Sequence, residues 1–164
     1  GIHVWREEAP IAYRFALEDL GPLRPEGALL AYDFRRHRAE RVEPDGDDPV
    51  WEVELEPHAW DYRILCPILP GEIAIVGDIS RYATAGDARL RDVGASANGV
   101  VFEALGSPGE HFEITGGSAR PPRALGLAGG GSLPVRYEAG LFHIPVMVGD
   151  RGWLRIRVEA DPAG

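Results

Sequence analysis

The sequence predicts an all-β fold: an antiparallel β-sandwich of many short strands, forming one domain over residues 1–164 with room for two packed sub-sheets. Three observations predict it. Residues 50–67 (VWEVELEPHAWDYRILCP) carry two period-2 runs separated by a polar break at Glu56, Pro57 and His58. Side chains alternate across a strand, so each run reads as one half-buried strand. From residue 88 onward, short apolar runs recur between Gly, Pro, Asn and Asp punctuation, the pattern of a sandwich or barrel. No segment carries a long helical stripe, and there is no internal repeat.

Residues 1–5 are short and apolar enough for an edge strand. Residues 11–17 then place Ile11, Tyr13, Phe15 and Leu17 on one face. Glu18, Asp19, Leu20, Gly21 and Pro22 form a turn cluster, and residues 28–34 read as the next strand. A loop or hairpin tip joins Phe34 to Val50; it is basic over residues 35–41 and acidic over 43–49. In residues 50–55, Trp51, Val53 and Leu55 face inward. In residues 60–66, Trp60, Tyr62, Ile64 and Cys66 are expected inside, with Asp61, Arg63 and Leu65 on the wetter face. Pro57 cannot donate to a ladder and marks a corner.

The apolar run at residues 72–78 suggests a strand buried on both faces. Residues 79–87 fit either one helical turn or a loop. Strands are then expected near 88–93, 99–105, 110–115, 123–127, 133–137, 141–148 and 152–159. Turns are expected at Gly94, Asn98-Gly99, Pro108-Gly109, Gly116-Gly117, residues 129–131 and 150–152. A candidate subdivision lies near residues 67–71. In the last strand Leu154, Ile156 and Val158 oppose Trp153, Arg155, Arg157 and Glu159. Trp153 on that charged face either packs on another element or offers an aromatic platform.

Composition closes off several function classes. The chain has 164 residues, 45% of them apolar, enough for a core with no disulfide or metal staple. Its net charge of −9 argues against a nucleic-acid partner, whose binding rests on basic residues. All seventeen basic residues are arginine, so chemistry that needs a lysine, such as a P-loop or a Schiff base, is excluded. No apolar run approaches the ~20 residues of a membrane span, so no membrane partner is expected. The single cysteine, Cys66, is expected to be a core residue, and compartment is left open. The chain begins at Gly1, which suggests a piece of a longer polypeptide.

Reactive constellations are sparse. Gly94-Ala95-Ser96-Ala97-Asn98 misses the second glycine of the nucleophile elbow. The five histidines (3, 37, 58, 111 and 143) form no i, i+4 or H-x-H pair, so no metal or cofactor is expected. His58 is expected to satisfy backbone groups at its corner, and His111 and His143 to be solvated. The Gly-rich stretch at 126–131 does not match a dinucleotide fingerprint. Asp45, Gly46, Asp47 and Asp48 read as an acidic turn, and whether it holds a cation stays open. No catalytic residue is assigned.

Several phrases carry a family likeness. Asp19-Leu20-Gly21 with Leu23, then Tyr32-Asp33-Phe34, and Leu55-Glu56-Pro57-His58 with residues 63–67 resemble the C-terminal β-sandwich of glycoside hydrolases of the α-galactosidase and raffinose-synthase group. Gly77-Asp78-Ile79 with Tyr82, and residues 85–88, extend the resemblance across roughly 10–105. Phe34 is followed by Arg35 where that group has tryptophan. The resemblance implies a non-catalytic accessory sandwich whose partner is a catalytic (β/α)₈ barrel of the parent chain. Alternatives are an autonomous carbohydrate-binding module and a β-rich enzyme with His58 as its candidate. For a ligand or partner surface the expected residues are Trp5, Asp78, Tyr82, Trp153 and Arg155, with Trp60 a further aromatic available to a sugar.

Overall fold

The computed structural model describes residues 2–3, 9–23, 27–43, 50–82, 84, 86, 88–127 and 131–160. Trp5 and the acidic turn at 45–48 lie outside them. The described residues are almost all in antiparallel strands and tight connections, and the chain divides into two compact units, Gly1–Pro67 and Ile68–Gly164.

The first unit contains β1 (Ile2–His3), β2 (Ile11–Ala16), β3 (Leu29–Asp33), β4 (Arg38–Val42), β5 (Val50–Leu55), β6 (Trp60–Asp61) and β7 (Arg63–Pro67). They pair as β1-β6, β2-β5 and β4-β3-β7. Leu17–Leu23 is a 3-10 turn kinked at Gly21, whose φ of 53° suits glycine. Asp19 accepts the Ala16 backbone N–H at 2.7 Å, which ties the turn to the end of β2. Leu17, Leu29, Ala31, Val42 and Trp51 make one buried cluster, with Phe15, Leu20 and Leu65 packed against it.

Two expectations for this unit need correction. Trp60 is only half-buried, its ring 6.1 Å from that of Phe34, so it is not a core residue. Among the described residues, His58 makes no hydrogen bond to backbone groups at its corner. Its ring is exposed, its φ is 63°, and the turn is closed by the Ala59 N–H donating to the Glu56 carbonyl at 2.9 Å.

The second unit is a sandwich of two sheets. Its strands are β8 (Ile73–Gly77), β9 (Leu90–Ser96), β10 (Gly99–Leu105), β11 (His111–Ser118), β12 (Pro122–Gly126), β13 (Ser132–Leu133), β14 (Arg136–Glu138), β15 (Leu141–Met147) and β16 (Trp153–Ala160). One sheet runs β13-β12-β16-β10-β9 and the other β14-β15-β11-β8. Val100, Phe102, Ile156 and Val158 from the first meet Ile73, Ile114, Phe142 and Ile144 from the second in one fully buried core. Residues 79–82 are bends and turns, not helix.

Glycine and proline account for the departures here. Gly94 and Gly116-Gly117 were expected as turns and lie inside β9 and β11. A Cβ at Gly116 would stand 2.2 Å from Phe142 Cζ and 2.5 Å from the Ala74 carbonyl oxygen, so this glycine admits a close approach. The single strand expected over 133–137 is two, β13 and β14, in opposite sheets. Pro134 between them has no N–H to continue a ladder.

Candidate functional site

In β2 and β5 the alternation of each strand puts its odd-numbered side chains on one face, and their antiparallel register sets Tyr13 opposite Val53 and Phe15 opposite Trp51. The Phe15 and Trp51 rings stack with centroids 5.6 Å apart and planes 19° apart. Asp61, Arg63 and Leu65, with Leu20 of the 3-10 turn, line the same cleft as this pair. The cleft measures about 210 Å³ and its lining is aromatic, aliphatic and charged.

The charged lining residues constrain one another. Asp61 is 7% exposed, and its Oδ2 lies 3.3 Å from Arg63 Nε. Its Oδ1 is buried and accepts no hydrogen bond. The Arg63 guanidinium stands 5.4 Å over the Trp51 ring, with further carboxylates at 3.6 Å (Glu40) and 3.8 Å (Asp33). Glu40 also accepts the Trp51 indole N–H. Burial alone would raise the Asp33 carboxyl. Hydrogen bonds from the Arg36 side chain and backbone, with the Arg63 and Arg36 charges, outweigh that and hold it below its ordinary value.

A second polar group lies in the sandwich. Asp78, 2% exposed, accepts the Ser80 backbone N–H at 3.0 Å. Its Oδ2 is 3.0 Å from Arg89 Nε, an ion pair whose N–H is not aligned as a hydrogen bond. Arg89 also donates to Glu110 and lies 4.3 Å over the Phe112 ring. The hydrogen bond from Arg89, then that from the Ser107 N–H, holds the Glu110 carboxyl at about 2. Arg89 is thus held between two carboxylates and the Phe112 ring, and an open cavity of about 620 Å³ lies beside it.

A third group, Thr115, His143 and Glu113, has the composition of a nucleophile-base-acid triad without its wiring. Thr115 Oγ1 and Glu113 Oε1 lie 3.2 Å and 3.1 Å from the same ring nitrogen, His143 Nδ1. A relay needs the two ring nitrogens to serve different partners. His143 is half-buried in this contact and not solvated as expected, because it stands opposite Thr115 across β11 and β15. His111 is exposed.

The expected surface residues fall into two places. Asp78 belongs to the buried ion-pair group, and Tyr82 follows it in the same loop, 70% exposed. Trp153 and Arg155 lie two residues apart on β16. Trp153 is half-buried with the Arg151 guanidinium 5.9 Å from its ring, and Arg155 is exposed. The ion pairs of Asp78 lead to Arg81 and Arg89, not to Arg155.

The cleft residues were missed. The face assigned to water, Asp61, Arg63 and Leu65, is the one that walls the cleft, and Asp61 is more buried than Trp60. A sequence signal existed in the opposite charges at positions 61 and 63 beside Leu65. It needed the β2-β5 register to acquire meaning. Cys66 is buried as expected, which pushes its thiol up to about 12 and leaves it a core hydrophobe. No protein-family model matches the chain, and no curated protein matches it.

Proposed function

We propose that this chain is a non-catalytic accessory β-sandwich of a carbohydrate-active enzyme, a glycoside hydrolase, and packs on and stabilises that enzyme's catalytic barrel. One observation supports the non-catalytic part of the reading. The buried carboxylates among the described residues each pair with an arginine, Asp33 with Arg36, Asp61 with Arg63, Asp78 with Arg89 and Glu103 with Arg91, and the part-exposed Glu110 also pairs with Arg89. Glycoside hydrolysis needs one carboxyl held protonated as general acid, with its pKa raised. Glu110 and Asp33 are shifted the opposite way. The role of the barrel rests on the resemblance of the sequence phrases.

The test uses the complete reading frame and this chain side by side. The frame is expected to encode a (β/α)₈ domain ahead of Gly1, and removal of residues 1–164 is expected to lower that domain's Tm by about 5 °C or more. The chain alone is expected to leave a panel of aryl α- and β-glycosides intact. Turnover by this chain that one carboxylate substitution abolishes, or a frame with no barrel, overturns the reading.

A further inference from the structure

We propose that the outer face of the β13-β12-β16-β10-β9 sheet, centred on Arg155, is the surface through which this chain docks on its catalytic barrel, and that it receives a carboxylate-bearing, partly apolar patch there. This docking face rests on the accessory role and names the surface that performs it.

Strand alternation decides which residues make up the face. Phe102 and Ala104 of β10, Ile156 and Val158 of β16 and Ala124 of β12 belong to the core of the sandwich. Their neighbours Val101, Glu103, Leu125, Arg155 and Arg157 therefore stand on the opposite side of the sheet. The register sets Val101 and Leu125 on either side of Arg157, and Glu103 directly across from Arg155. β16 is the middle strand of the five, so both arginines lie along the centre of the face.

Charge singles out Arg155. Glu103 accepts two hydrogen bonds from Arg91 of the edge strand β9, from Nε at 2.9 Å and from Nη2 at 2.5 Å. Glu159 lies 3.4 Å from Arg157. Arg155 is exposed and has no carboxylate partner among the described residues, in a chain with 26 acidic residues and 17 basic ones. An acidic chain thus keeps an uncompensated cation at the middle of a sheet. A carboxylate on a partner complements it.

Apolar surface surrounds that charge. Val101, Leu105 and Leu125 are part-exposed on the same face. Leu127, whose N–H donates to the Arg155 carbonyl at 2.8 Å, is 38% exposed. Arginine and apolar side chains together are the make-up of an interface centre. Broad rows of side chains on a sheet suit a second protein surface better than a small ligand, which favours a concave site. A second copy of this chain brings Arg155 and Arg157 against their own equivalents about a two-fold axis, so charge selects against it.

The test is thermal melting of the complete enzyme, followed at the barrel's transition, for Arg155→Glu, Leu127→Asp and Met147→Glu. Met147 is 61% exposed on β15 of the other sheet and serves as the control. Arg155→Glu and Leu127→Asp are each expected to lower the barrel's Tm by about 3 °C, and Met147→Glu to leave it unchanged. The Arg155→Glu loss is expected to shrink by about half in about 0.5 M NaCl. In the chain alone all three are expected to melt within about 1 °C of the parent, because the substituted side chains are exposed. If one face variant fails to fold, the other carries the test. An unchanged barrel Tm in every face variant that folds, or a fall with Met147→Glu and not with them, overturns the docking face. Dimerisation of the chain alone that Arg155→Glu abolishes puts a second copy on the face and overturns the choice of partner. Where removal of residues 1–164 lowers the barrel's Tm and the face variants do not, the accessory role stands and only this face falls. Where removal changes nothing, both fall.

Discussion

Phe15 and Trp51 stand directly opposite one another across β2 and β5, ring centroids 5.6 Å apart and planes nearly parallel. Their contact has two sides, since Trp51 is also part of the buried cluster with Leu17, Leu29 and Ala31. The same pair therefore holds the first unit together and walls its cleft.

Trp51→Ala removes both roles. It also leaves Glu40 without the indole donor and Arg63 without the ring beneath it. A loss of about 3–5 kcal/mol is expected in urea unfolding, as for other buried large-to-small changes. Trp51→Phe, which keeps a ring in the stack, is expected to cost less than half of that.

Gly116 offers a sharper packing test. A Cβ there meets the Phe142 ring and the Ala74 carbonyl, one a side chain and the other backbone. Gly116→Ala is expected to destabilise by about 2 kcal/mol or more. Adding Phe142→Leu is expected not to restore it, because the backbone oxygen stays in place. Gly149→Ala, with open space at its Cβ, is expected to stay within about 0.5 kcal/mol of the parent.

Acid should unfold the chain partly through Glu110. Its carboxyl ordinarily titrates at 4.5 and is held at about 2 by Arg89 and the Ser107 N–H. The folded value lies below the unfolded one, so the folded state binds fewer protons between them. Its contribution is complete above the unfolded value and is lost as pH falls from about 4.5 toward about 2. Asp33, lowered from 3.8, adds to the low end of that window. Thermal melts from pH 6 to pH 2 are expected to fall less steeply for Glu110→Gln than for the parent. Identical slopes would show that the Arg89 pair contributes nothing.

Cys66 is expected to resist thiol reagents at pH 8 in the folded protein and to react fully in 6 M guanidinium. Burial pushes its thiol up to about 12, so almost no thiolate is present, and reaction must wait for local opening. Rapid labelling of the native chain would place the thiol at an accessible surface.

The all-β character was legible because period 2 is local. Trp51, Val53 and Leu55 alternate inward in β5, and Ile156 and Val158 do so in β16. Contacts between distant segments were not legible. Gly116 reads as a turn until Phe142 of β15 lies against it, and the strand expected over 133–137 is continuous until its halves join different sheets. Asp61 and Arg63 read as solvated charges because nothing nearby in sequence indicates that Phe15, some forty-five residues upstream, faces them.

The claim that the chain is an accessory sandwich of a glycoside hydrolase is tested most directly by the thermal melt of the complete enzyme with and without residues 1–164. The account predicts a Tm lower by about 5 °C or more without them, and no glycoside turnover by the chain alone. An unchanged Tm, or turnover by the chain that one carboxylate substitution abolishes, would contradict it.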